Sequence, residues 1–181
     1  MNDAPIFVGL FPKQTATAPD PLIPLGVMEV AAVSNCISAA PDDWIVQWKH
    51  NSLGFYDSEE IARSVIPSGA REPFDLYAYE LFPMTYADEL EPLAVEPAPG
   101  AVPADYEFLG YDIVSRSIAT FFECSLLSCN LAAQEFGANR HCLITELAPA
   151  YEAFLKMGGS DAGYEPGPYF LFAVHRKRRG A

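Results

Sequence analysis

Short apolar runs of strand length, separated by proline-rich stretches, set the pattern of this chain. Aromatic and β-branched residues between proline or glycine boundaries are typical of β-strands. Such runs are IFVGLF at 6–11, FDLYAYELF at 74–82, YEFLGYDIV at 106–114 and PYFLFAVHR at 168–176. DWIVQWKH at 43–50 also predicts a strand, HCLI at 141–144 predicts a very short one, and residues 27–38 fit either a strand or a short helix.

Three segments carry helical signals. The segment 57–66 opens with capping residues and two glutamates, and it ends before Pro67; this predicts a helix. Residues 126–136 predict a second helix that stops at Gly137. Residues 145–157 give the clearest helix, with Thr145 as a candidate cap and glycines after it.

The alternation of these elements predicts an α+β fold: a mixed or mainly antiparallel sheet with two or three helices packed on it. The order strand, helix, strand occurs at 43–50, 57–66 and 74–82, and again at 139–144, 145–157 and 168–176. A diverged duplication explains this order, and so does the ordinary alternation of α+β proteins. The sequence alone leaves both open.

A proline-rich connection at residues 91–104 divides the chain. Proline removes backbone donors and fixes φ, so this stretch is neither a helix nor a central strand. We expect one α+β domain over residues 1–181, crossed by this surface connection. The alternative is two lobes, 1–90 and 105–181.

The charge balance restricts the kinds of partner that this chain is expected to bind. The chain is 50% hydrophobic and 19% charged, with a net charge of −13, and residues 1–175 hold 7 basic and 24 acidic groups, a net of −17. Such a surface repels nucleic-acid phosphates and anionic lipid, and it attracts cationic proteins. The basic run Arg176–Arg179 is expected to extend into solvent or to fold back onto the acidic body.

The start of the chain, MNDAPIFVGLF, lacks the basic segment and the long apolar run of a signal peptide. No stretch has the eighteen or so apolar residues of a spanning helix. These features predict a cytoplasmic protein without a membrane contact, whose four cysteines stay reduced.

The segment ECSLLSCNLAAQEFGANRHC at 123–142 raises the question of a metal site. Residues five apart on a helix point about 140° from each other, which separates Cys124 from Cys129. Adjacent residues of a strand face opposite sides, which separates His141 from Cys142. Buried thiols in packing are therefore favoured over structural zinc, and no metal is predicted.

The same segment supports a thiol enzyme as an alternative. Cys129 is predicted in the first turn of the helix 126–136, where the helix dipole lowers a thiol pKa. His141 would act as the base and Asp112 would orient it. Other residues of the right type are His50, His175, Asn51 and Asn130.

Phosphate-binding loops are missing from the sequence: neither GxxxxGK[ST] nor GxGxxG occurs. No cofactor is predicted.

The sequence favours a non-enzymatic protein-binding module, of the inhibitor, immunity or complex-subunit kind, that recognises a basic partner surface. Residues 57–112 carry 13 acidic groups against Arg63 and Arg71, a net of −11, and are the expected interacting face. Aromatic residues dominate binding hot spots. The candidate binding residues are Trp48, Tyr56, Tyr77, Tyr79, Asp75, Glu80, Asp88 and Glu89. The alternative is a small thiol- or metal-dependent enzyme centred on Cys129 and His141.

Overall fold

Antiparallel strands form the frame of the protein. A computed structural model describes residues 4–32, 37, 40–41, 45, 47–83, 96–116, 122–158, 164–165 and 167–179. The strands, in chain order, are β1 Ile6–Lys13, β2 Ala16–Thr17, β3 Glu29–Val30, β4 Asp75–Leu81, β5 Tyr106–Arg116, β6 Phe122–Ser125 and β7 Tyr169–Lys177. A five-stranded sheet has the order β1-β4-β7-β5-β6, and β2 pairs with β3 in a second, two-stranded sheet.

Short helices accompany the sheet. They are a 3-10 helix Asp20–Leu25, α1 Glu59–Ser64, α2 Leu126–Cys129, α3 Ala133–Phe136 and α4 Leu147–Gly158. The mostly antiparallel five-stranded sheet, the small second sheet and these helices confirm the α+β fold class. Among the described residues, no helix is long and apolar enough to cross a membrane.

The core forms where the aromatic positions of the strands meet. β4 and β7 lie side by side, with Tyr79 opposite Val174. The ring of Phe55 lies 5.0 Å from that of Tyr79 and 6.0 Å from that of Phe172. Each buried aromatic side chain contributes about 2–3 kcal/mol through loss of its contact with water. These contacts hold the central strands together.

Local signals explain the helices that the sequence predicted. Ser58 caps α1, accepting a hydrogen bond from the Ile61 N–H at 3.2 Å. Its first turn carries Glu59 and Glu60, which suit the positive end of a helix. Pro149 in the first turn of α4 is tolerated because the first N–H groups have no helical partner.

Three predicted elements were wrong. The very short strand predicted at 141–144 is only an isolated bridge between Ile144 and Tyr111. In the described part of 43–50, Ile45, Gln47 and Trp48 lie in turns, not in a strand. The predicted helix 126–136 is broken into α2 and α3, because Leu131 between them takes a left-handed φ of 57°.

Two loops repeat one geometry, each beside a strand that starts a half of the chain. The Asn51 amide donates to Val8 O at 3.0 Å, and the Asn139 amide donates to Leu109 O at 2.7 Å. Each side-chain oxygen accepts from backbone N–H groups two and four residues later. A helix and a strand follow in both cases. The two halves thus share these local contacts, and whether they arose by duplication stays a prediction.

The described end of the proline-rich connection contacts the sheet. Ala98 is buried, and its N–H donates to Phe7 O at 2.9 Å. Residues 91–95 of the connection lie outside the described residues.

Candidate functional site

An exposed tryptophan stands out on the surface. The side chain of Trp48 is 78% exposed, and that of Ile45 three residues earlier is 43% exposed. The Trp48 N–H donates to Ile45 O at 3.4 Å, which closes a turn. Trp48 has a φ of 51°, which is rare for a bulky residue and costs about 1–3 kcal/mol. The fold therefore presents this ring to solvent at a cost in stability.

Acidic groups lie beside this turn. The ammonium of Lys49 donates to Ser64 Oγ at 3.1 Å, which places the turn against α1. Glu60, one helical turn before Ser64, is on the same side of α1 and is exposed. Asp57 is exposed and accepts from the Asn51 amide at 3.0 Å. We call Ile45, Trp48, Asp57 and Glu60 the Trp48 surface.

Unpaired negative charge is in excess on the described surface. The exposed carboxylates that form no ion pair among the described residues are Asp20, Asp57, Glu60, Glu72, Glu96, Glu146, Glu152 and Glu165. Exposed basic residues without an ion pair in the same part of the chain are Lys49, Arg71, Arg140 and Arg178.

The basic run folds back onto the acidic body. Arg176 donates to Glu29 Oε1 at 2.7 Å, and Lys177 contacts Glu59 at 2.7 Å and Asp105 at 3.0 Å. Arg179 binds both carboxylate oxygens of Asp75, at 3.1 and 2.7 Å. Most of the positive charge of the run is thus used within the chain.

The predicted acidic face is partly neutralised by these contacts. Within residues 57–112, ion pairs engage Glu59, Asp75, Asp105 and Glu107, and a carboxylate oxygen of Glu80 lies 2.9 Å from Nε2 of His175. Two of them, Asp75 and Glu80, were candidate binding residues. Asp88 and Glu89 lie outside the described residues.

The candidate tyrosines lie in the core. Tyr56, Tyr77 and Tyr79 are at most 1% exposed, so no partner reaches them in this conformation. Burial raises the pKa of Tyr56 and of Tyr77 to about 12. This corrects the expectation of a tyrosine binding face. Alternation along β4 gives one side of the strand to Tyr77 and Tyr79, but it does not reveal that Lys13 contacts the ring of Tyr77 or that Phe55 and Phe172 contact the ring of Tyr79.

Cys129 does not lie where the thiol hypothesis expected it. It is the last residue of the four-residue α2 rather than part of the first turn of a long helix. Burial, with the charge of Asp112, raises the pKa of the Cys142 thiol to about 12. Asp112 is fully buried and accepts from Ser125 Oγ at 2.6 Å.

His141 has a carboxylate partner that the sequence did not indicate. Its Nδ1 lies 2.6 Å from Glu29 Oε1, which also accepts from Arg176. Burial alone raises the pKa of Glu29, but the hydrogen bonds from His141 and Arg176 outweigh it and hold that pKa below its ordinary value. Glu29, rather than Asp112, orients the ring.

A buried lysine was also missed. Lys13 is 3% exposed, donates to Ala31 O at 3.0 Å and to Ala32 O, and lies 4.7 Å from the centre of the Tyr77 ring. Burial lowers the pKa of Lys13 to about 7, although the charge of Asp112 opposes the shift. Lys13 is far from Ala31, Ala32 and Tyr77 in sequence, so no local pattern indicates these contacts.

Among the residues that the structure describes, no group of three or more histidine, cysteine, aspartate or glutamate side chains is placed to hold a metal ion. Cys36, the remaining cysteine of the chain, lies outside them.

Comparison with protein-family models, with curated proteins and with solved structures gives no match, so the function rests on the chain's own residues.

Proposed function

We propose that this chain is a protein-binding module that recognises a basic partner surface through the Trp48 surface. The observation that carries the proposal is Trp48 itself, 78% exposed and held at a φ of 51°. An indole exposed to water in a strained turn destabilises the free protein. That cost is offset when a partner covers the ring, because large aromatic anchors contribute most of the energy in many interfaces.

The charge of the surface supports a basic partner. Asp57 contacts Asn51, and Glu60 is on the side of α1 that Lys49 contacts at Ser64, so both carboxylates belong to elements next to the Trp48 turn. Neither forms an ion pair among the described residues. Their carboxylates attract lysine and arginine side chains. The indole face adds a cation–π contact of about 0.5–2 kcal/mol with the same groups. Rim charges of this kind mainly accelerate and select the encounter, so binding weakens as salt rises.

Affinity capture with matched variants tests the proposal. The baits are the natural chain, Trp48→Ala, Glu60→Gln and, as a control, Leu155→Ala, which removes another exposed apolar side chain from α4. We expect one or more lysine- and arginine-rich proteins to be retained by the natural chain and by Leu155→Ala, and to be lost with Trp48→Ala.

The identified partner is then purified and titrated. Trp48→Ala is expected to weaken its binding by about tenfold or more. Glu60→Gln is expected to reduce both the affinity and its dependence on salt. Equal binding by the natural chain and by Trp48→Ala overturns the proposal.

A further inference from the structure

A cavity of about 260 Å³ lies at the start of β4, away from the Trp48 surface in sequence. Its polar lining comes from Gln14, Thr15, Glu72, Asp75 and Arg179. The carboxylate of Asp75 is 10% exposed, and the structure places a guanidinium directly on it. A carboxylate in the lining of the cavity therefore already binds a guanidinium.

The carboxylate is held in place before any ligand arrives. Thr15 Oγ1 donates to Asp75 Oδ2 at 2.7 Å and shares a 2.5 Å hydrogen bond with the Tyr77 hydroxyl. Asp75 also lies opposite Lys13 in the register of β4 with β1. Burial alone raises the pKa of Asp75, but the hydrogen bonds from Arg179 and Thr15 outweigh it, so the group stays ionised at neutral pH.

Arg179, which binds Asp75 in this structure, is loosely held. Arg179 follows β7 by two residues, and its side chain is 71% exposed. It grips Asp75 with Nε and Nη2, a geometry that a guanidinium provides and an ammonium does not. An ion pair with one partner so exposed to water contributes little stability, which makes it easy to displace.

The local charge favours a second cation. Glu72 and Asp75 bring two carboxylates to the lining, and Arg179 brings one guanidinium. Glu72 forms no ion pair among the described residues. The lining thus keeps a net negative charge with Arg179 in place.

We propose that this cavity is a guanidinium site for an arginine of the basic partner, which displaces Arg179 from the carboxylate of Asp75. The identity of the ligand as a partner's arginine rests on the proposed function; the preference for a guanidinium does not. Arg179 then acts as an autoinhibitory contact, because any external arginine must compete with a tethered one.

The test is a titration with N-acetyl-arginine methylamide, followed by nuclear magnetic resonance at low salt, with the lysine analogue as a second probe. The variants are Arg179→Ala and the neighbouring Arg178→Ala as control. We expect Arg179→Ala to bind the arginine probe about fivefold more tightly than the natural chain. Arg178→Ala should bind like the natural chain, and the lysine probe should bind Arg179→Ala more weakly than the arginine probe does.

Substitutions in the lining locate the effect. Adding Asp75→Asn to Arg179→Ala should abolish the gain in affinity for the arginine probe. Adding Glu72→Gln should reduce that gain, and Glu72 lies outside the strands. If Asp75→Asn prevents folding, the Glu72→Gln comparison replaces it. The proposal is overturned if Arg179→Ala gains no affinity, or if both probes bind it equally.

The two proposals fail separately. If the natural chain captures no basic partner, or captures it equally well after Trp48→Ala, but the arginine probe still binds, the role of the Trp48 surface is removed and the guanidinium site remains. Intact capture that depends on Trp48, with no probe binding by Arg179→Ala, removes only the cavity.

Discussion

Lys13 shows how one buried side chain makes the stability of the whole chain depend on pH. Its ammonium lies among the carbonyls of Ala31 and Ala32 and the ring of Tyr77. Burial lowers its pKa from 10.5 to about 7. The unfolded chain keeps this proton up to about pH 10.5 and the folded chain releases it near pH 7, so unfolding takes up a proton between those values. The free energy of unfolding therefore rises with pH in that window.

We expect this rise to be on the order of 4 kcal/mol across the window, and to disappear in Lys13→Met. Methionine keeps much of the volume but carries no titrating group. Urea unfolding at several pH values between about 7 and 8 measures the slope, on the order of 1 kcal/mol per pH unit, since tyrosines and the Cys142 thiol stay mostly protonated in both states there. Lys49→Met, at an exposed position, should keep the slope of the natural chain. A Lys13→Met variant that retains the slope contradicts this assignment.

The role of a single residue could be predicted only where it depends on neighbours in the sequence. Trp48 was found as a binding candidate because tryptophan beside charged residues is a frequent interface signal, and the structure leaves it exposed. Tyr77 and Tyr79 carried the same kind of signal but are buried, Tyr77 against Lys13 and Tyr79 against Phe55 and Phe172. The partner of His141 is Glu29, more than a hundred residues away, which no spacing indicates.

At the scale of elements, two glycines allow loops to approach the backbone of the strands closely. Gly9 has a φ of 127° and Gly110 one of 146°. A Cβ on Gly110 would lie 2.8 Å from Ile144 O and from Leu143 Cβ, and one on Gly9 would lie 2.7 Å from Tyr56 O. The loops that begin at Asn51 and Asn139 approach the strands at these points. Both halves thus depend on the same device.

Gly110→Ala is expected to lower the free energy of unfolding by about 3 kcal/mol, because it combines a strained φ with contacts against backbone. Gly69→Ala is the matched control, since its added Cβ meets nothing within 4 Å and its φ is not in the left-handed region. Urea denaturation compares them. Equal stability of the two variants would show that the Asn139 loop moves away without cost.

The boundaries of elements followed from the sequence where caps and stops were strong. The four apolar runs became β1, β4, β5 and β7, and α1 is capped by Ser58, near the start of the segment 57–66 that was predicted to be a helix. The break at Leu131 was not predictable, because a left-handed leucine leaves no mark on the hydrophobic pattern. The strand predicted at 43–50 failed because alternating apolar residues also occur in a turn that exposes them.

Over the whole molecule, the fold class followed from the alternation of strands and helices, but the strand order did not. β4 and β7 are neighbours although some ninety residues separate them, and such pairing depends on contacts that no local pattern encodes. One domain or two lobes stays a prediction. The acidic excess was evident from composition, whereas its partial neutralisation by the run Arg176–Arg179 required the structure.

The ion pairs of that run make the whole chain sensitive to acid. Glu29 has its pKa held below 4.5 in the folded chain, so it contributes stability above about pH 4.5 that is lost as the pH falls through the folded pKa. Arg176 provides part of this effect through its 2.7 Å contact, and its side chain is mostly buried. Arg140 is exposed and forms no ion pair among the described residues, so it serves as the control.

We expect Arg176→Gln to lower the free energy of unfolding by about 2 kcal/mol at neutral pH, since it removes a charged hydrogen bond. The difference from the natural chain should narrow as the pH falls below about 4.5, because protonated Glu29 no longer benefits from the guanidinium. Arg140→Gln should match the natural chain throughout. Denaturant unfolding between neutral pH and about pH 3 measures both. A difference that stays constant with pH would assign the role of Arg176 to packing rather than to charge, because packing does not change when Glu29 gains a proton.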